Sequence, residues 1–175
     1  PFFLEGSNFL EFGIPRSSLS STPPLLLFYS RRIGIEQDRM IPIIAGGKLT
    51  GKVGSYGVGF LNLMTSQLEK PLEKLSIPKT NFSVFRLRKD LLTSSSVGLI
   101  TTNRQSIGED YNRTLGIDFL YRPLSSLTVN GLTATSSDPN QKGQAFYLGG
   151  HWRSDKLQAS GGYSAIDPDF EPGIG

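Results

Sequence analysis

The sequence predicts an all-β chain, folded as an antiparallel up-and-down meander of about nine strands. Runs of about ten residues with alternating polarity recur between clusters of Gly, Pro, Ser and Asp, and apolar recurrence at helical spacing is hard to find. The connections between runs alternate in length, short then long. Within the runs, charged residues keep to one phase and apolar residues to the other, as strands with two unlike faces require.

The first strand is expected at Leu25 to Ile33, where the apolar run Leu25 to Tyr29 follows Pro23-Pro24. Ile43 to Val53 comes next, with Lys48, Thr50 and Lys52 opposing Leu49, Gly51 and Val53. Tyr56 to Thr65 is a strand without a readable facing, because Asn62 interrupts one phase and Gly57 and Gly59 dilute the other. In Asn81 to Lys89, Ser83, Phe85 and Leu87 oppose Arg86 and Arg88. Ser95 to Asn103 follows. Arg113 to Arg122 alternates most cleanly, with Leu115, Ile117, Phe119 and Tyr121 against Thr114, Gly116, Asp118, Leu120 and Arg122. After Leu127 to Ser136, the strand Gln144 to Arg153 sets Phe146, Leu148, Gly150 and Trp152 against Tyr147, Gly149, His151 and Arg153, and Leu157 to Ile166 closes the series.

Tight connections are expected at Gly54-Ser55, Asp90 to Ser94, Pro123 to Ser126 and Ser154 to Lys156. Longer ones are expected at Gly34 to Pro42, Ser66 to Thr80, Arg104 to Asn112 and Ser137 to Gly143. A barrel in an outer membrane sorts its connections this way, and strands of about 9 to 11 residues cross a bilayer at a tilt. A lysine or arginine facing lipid near midplane costs about 2 to 4 kcal/mol, so the charged phase is expected to face the barrel interior. Tyr121 and Trp152 lie on the apolar phase beside short turns, where an interfacial aromatic girdle would stand. The fold class expected is thus an open part of an outer-membrane β-barrel.

Composition narrows the function classes. The 175 residues carry a net charge of +3, too little for a nucleic-acid module, and no run approaches a membrane-spanning helix. There is no Cys and a single His, His151, so thiolate zinc sites and most nucleophilic triads lack material. The chain starts at Pro1 and ends at Gly175, and it reads as a piece of something longer, with 1–24 as a periplasmic-side lead-in and 25–175 as a partial barrel domain. The lead-in is expected on the short-turn side, with Phe2, Phe3, Phe9 and Phe12 at the barrel's inner mouth or against an upstream module.

The segments PFFLEGSNFLEF (Pro1 to Phe12), LFYSRRIGI (Leu27 to Ile35), IPIIAGGKLTGKVGSYGVGFLN (Ile41 to Asn62), NFSVFRLRKDLLTSSSVGLITTNR (Asn81 to Arg104) and DYNRTLGIDF (Asp110 to Phe119) resemble a family of uncharacterised bacterial outer-membrane proteins. In that family a β-barrel domain of unknown function follows a periplasmic module similar to family-9 carbohydrate-binding modules. The closing DPDFEPGIG (Asp167 to Gly175) resembles the family's entry into a further strand. The resemblance implies outer-membrane lipid and an upstream carbohydrate-binding-like module as partners. It transfers no catalytic or sugar-binding residue.

Gly46 to Lys52 matches the core of a phosphate-binding loop but has Val53 where Ser or Thr should hold Mg²⁺, and no helix can open behind it; a glycine-rich strand is the expectation. Asp167, Asp169 and Glu171 lack a full Ca²⁺ ligand set, Glu109-Asp110 reads as a solvated loop tip, and Arg31-Arg32 lies where the first strand meets its outer loop. Lys48, Lys52, Arg86, Arg88, Asp118, Arg122, His151 and Arg153 are the interior-facing candidates. They could line a cationic passage, but the favoured reading is a wall of buried pairs involving Asp118, or contacts to a plug. No enzyme activity, cofactor or metal is expected. The expected function is passage of solutes through the barrel, or anchoring of the periplasmic glycan-binding module; the alternative is a soluble β-sandwich that binds carbohydrate. Neutral swaps at Asp118 and Arg88 are expected to spare assembly.

Overall fold

The computed structural model describes residues 6–12, 25–30, 33–36, 39–70, 75–108 and 110–174. A short 3-10 turn, Ser7–Phe9, precedes the strands β1 (Ile35–Glu36), β2 (Arg39–Met40), β3 (Ile43–Val53), β4 (Tyr56–Thr65), β5 (Leu68–Lys70), β6 (Leu75–Ile77), β7 (Thr80–Leu91), β8 (Ser95–Ser106), β9 (Tyr111–Leu124), β10 (Leu127–Ser137), β11 (Lys142–Arg153) and β12 (Gln158–Ile166). Eight of them form one antiparallel sheet in the order β3-β4-β7-β8-β9-β10-β11-β12, a meander in sequence order with β3 and β12 as its two edges. The sheet is not closed. The pairs β1-β2 and β5-β6 are small hairpins inside the connections before β3 and between β4 and β7.

The sheet has a covered face and a bare face. On the covered face, Leu61, Leu63, Phe82, Val84, Ile100, Leu132, Ala134 and Ala145 pack with Leu10, Phe12, Leu27, Ile33, Phe170 and Ile174, which arrive from segments flanking the sheet in sequence. The bare face exposes Leu49, Phe60, Val97, Leu115, Ile117, Phe119, Tyr121, Phe146, Leu148 and Trp152. Burial alternates residue by residue along β9 from Tyr111 to Leu120, so the two faces follow directly from the period of two. The facing of β4 is now plain: Leu61 and Leu63 are buried on the covered side, and Phe60 is exposed on the other.

Leu25 to Ile33 does not form a strand in its described residues 25–30 and 33. Its apolar residues are consecutive rather than alternating, and such a run buries as readily in an irregular segment as in a ladder. Leu27 is fully buried on the covered face, and the Tyr29 amide donates to the Ile174 carbonyl at 2.7 Å. The closing segment is no strand either. Residues 167–174 turn back over the covered face, where Asn112 donates to the Glu171 carbonyl and accepts from the Gly173 amide, each at 2.8 Å.

Two of the expected longer connections tighten. Because β8, β9, β10 and β11 extend beyond their expected ends, only 107–110 and 138–141 remain outside the ladder, no longer than 154–157. The parity of connection lengths therefore survives at the β4 side of the sheet and fades toward β12. Register supplies a different regularity. Val53 lies level with Leu148 through Tyr56, Lys89, Val97, Phe119 and Gly131, yet β11 runs on to Arg153, 153 − 148 = 5 residues further, before it turns. At about 3.3 Å per residue against strand spacings of about 4.8 Å, the turns climb across the sheet at roughly 30°.

The turn after β7 contains a strained residue: Leu92 has φ of 54° and an exposed side chain. A left-handed conformation costs an ordinary L-residue about 1 to 2 kcal/mol, and asparagine tolerates it better. Leu92→Asn is expected to stabilise the protein by about 1 kcal/mol, read as a higher urea midpoint with unchanged slope.

Candidate functional site

The covered face carries the charge. By register, Lys48, Lys52, Arg86, Arg88 and Asp118 share it, and alternation along β9 and β11 adds Arg122, His151 and Arg153. All the candidates lie on one face, but the structure does not bring them to one place. Lys48 stands opposite Leu61, and His151 stands between Thr128 and Ser160. Arg122 and Arg153 lie exposed at the short-turn ends of β9 and β11. Lys52 and Arg88 converge on Asp90, at 2.6 and 3.3 Å. Asp90 was not singled out in the sequence; its place two residues after Arg88 put it on the same phase, which was the available signal.

Arg86 and Asp118 form the buried centre of this face. Their Nη2 and Oδ2 atoms are 2.7 Å apart, and the residues are 3% and 8% exposed. They are not on neighbouring strands. Arg86 on β7 faces Ile100, while Asp118 on β9 faces Gly98 of the intervening β8, so the guanidinium passes over Gly98 to reach its carboxylate. A methyl group at Gly98 would overlap both the guanidinium and the carboxylate. Arg86 also holds the N-terminal segment: its Nε donates to the Glu11 carbonyl at 3.0 Å, and its guanidinium carbon lies 5.2 Å from the centre of the Phe12 ring.

Two more glycines seat that segment. A Cβ on Gly59 would come within 2.8 Å of both the Leu10 side chain and the Phe9 carbonyl; one on Gly116 would come within 2.6 Å of Leu27 and Phe12. Phe9 thus lies toward the short-turn end of β4, and Phe12 lies over the middle of β9. Phe2 and Phe3 fall outside the described residues, as do the rest of the lead-in at 13–24, Arg31-Arg32 and Glu109.

The remaining motifs resolve into structure. Gly46 to Lys52 lies wholly within β3. Asp167 accepts from the Gln144 amide at 3.0 Å, and among the described residues no three acidic or His side chains gather as a metal site. Asp110 is paired with Arg104 at 3.2 Å rather than being only a solvated tip. Arg104 itself, opposite Phe82 and Asn112, belongs to the charged face and escaped notice because β8 was expected to end at Asn103.

The bare face inverts this pattern. Among the described residues of the eight strands, its charges are Lys89, Arg113 and Lys142. Arg113 and Lys142 lie at the ends of their strands away from the short turns, and the Lys89 ammonium sits 5.3 Å from the Tyr56 ring centre near the first short turn. Between them runs a register row, Gly51, Val58, Leu87, Leu99, Ile117, Thr133, Phe146 and Ala165, without a charge or an amide side chain. Comparison with protein families, with curated proteins and with solved structures finds no match to this chain.

The buried pair changes one expectation. Arg88 is half exposed and its neutral swap is still expected to be benign, but Asp118→Asn would strand a buried guanidinium. A loss of about 3 to 5 kcal/mol is expected for Asp118→Asn, and most of it should return in the double variant Arg86→Met/Asp118→Leu. Equilibrium unfolding of the single and double variants checks this; equal losses in both would show that the pair is not what holds the face together.

Proposed function

We propose that this chain is a segment of a Gram-negative outer-membrane β-barrel, with the bare face turned to lipid and the covered face turned inward. The observation that carries the reading is the inverted distribution of charge: a buried ion pair on one side of β9, and on the other Ile117 at 48% exposure beside exposed apolar residues on every long strand but β10. A sheet face of this breadth in water would be an open hydrophobic patch, whereas in lipid it is already solvated. Tyr56, Tyr121 and Trp152 lie toward the short turns, consistent with an interfacial girdle. The climb of the turns across the sheet supports the same reading, because closing a barrel requires staggered strands.

Of the two roles such a barrel could have, the filled covered face supports anchoring over open passage. The cargo in this reading is the upstream carbohydrate-binding-like module that the sequence resemblance implies. A soluble carbohydrate-binding sandwich would need a second sheet over the bare face, and the hairpins β1-β2 and β5-β6 are the other sheets among the described residues.

Ile117→Arg and Leu148→Arg should each prevent insertion of the full-length protein, at a cost of about 2 to 4 kcal/mol per arginine, while Arg88→Gln should insert normally. Heat-modifiable gel migration after folding into lipid vesicles reports the outcome. Normal folding of both arginine variants in buffer without lipid would favour the sandwich.

A further inference from the structure

Resting on that reading, we infer that residues 7–12 are a plug, and that displacing it opens a passage for small anions through the covered face. The segment is seated rather than merely adjacent. It crosses the sheet where Gly59 and Gly116 leave no room for a side chain beneath it, and its Glu11 carbonyl is held by Arg86, the buried cation whose ion pair spans three strands. Leu10 and Phe12 are buried by it, and Phe12 covers the Arg86 guanidinium.

With the segment in place, Arg86 and Asp118 are sealed from solvent. With it gone, the same face presents a cationic surplus. In the eight strands its described charges are Lys48, Lys52, Arg86, Arg88, Arg104, Arg122 and Arg153, against Asp90 and Asp118. A water-filled path bounded by such a face attracts anions and repels cations, since charged walls set selectivity in narrow pores. The two states differ by a local contact set that can be broken from either side, at the seat or at the tenant.

The test is planar-bilayer recording on the full-length protein under a KCl gradient, with heat-modifiable migration as the independent readout of insertion. Gly59→Leu removes the seat, and Leu10→Ser/Phe12→Ser weakens the tenant without altering the sheet. The parent is expected to insert and stay silent, and the variants to insert and show conductance steps whose reversal potential moves to the chloride side. Silent but inserted variants would overturn the plug, as would a parent that already conducts. If the parent inserts and neither variant does, the segment is indispensable core and the plug is likewise overturned. A parent that fails to insert at all would instead overturn the barrel reading on which the plug rests.

Discussion

The Arg86–Asp118 pair, reaching over Gly98, is the interaction on which the arrangement of the sheet turns. It ties three consecutive strands together with one contact, and it does so on the face where an unpaired charge would be most costly. It also fixes register. A slip of one residue on β7 would carry Arg86 to the bare face and bring Phe85 or Leu87 beneath the N-terminal segment. Hydrophobic residues can exchange partners with small loss, but a guanidinium and a carboxylate separated by a glycine cannot.

From that fixed centre the rest of the covered face can be understood as filling. Leu10 and Phe12 arrive from one end of the chain and Phe170 and Ile174 from the other, and both sets meet Leu27 or its neighbours. Among the described residues the sheet therefore does not bury its covered face against a second sheet or a helix layer. It uses irregular segments, whose own backbone groups are then satisfied by side chains such as Asn112 and Ser136, the latter accepting the Glu171 amide at 3.0 Å.

How much of this was legible in the sequence depends on the range of the signal. The strand limits Ile43–Val53 and Tyr56–Thr65 were readable residue for residue, because alternation bounded by Gly54-Ser55 is local. The all-β meander and the charged phase followed from the same periodicity. Leu25 to Ile33 was misread because a run of consecutive leucines specifies burial without specifying a ladder. The connections before Tyr111 and Lys142 were read as too long because polar residues such as Arg104 and Asn112 continue a strand whose ladder is set by its neighbours. The pairing of Arg86 with Asp118, 32 positions apart, needed the register of β7, β8 and β9 together, and only the presence of Gly98 opposite Asp118 makes it possible.

The two edges of the sheet are not equivalent. β3 presents Lys48 and Lys52 along its length, and a lysine on an edge strand discourages a stranger's backbone from docking there. β12, Gln158–Ile166, contains no charge and no proline, and Gly161-Gly162 leaves its middle flat and uncrowded. Among the described residues no strand pairs with its outer margin, which is an open template. The two margins therefore differ in what they admit: the β3 margin repels a docking backbone, and the β12 margin invites one.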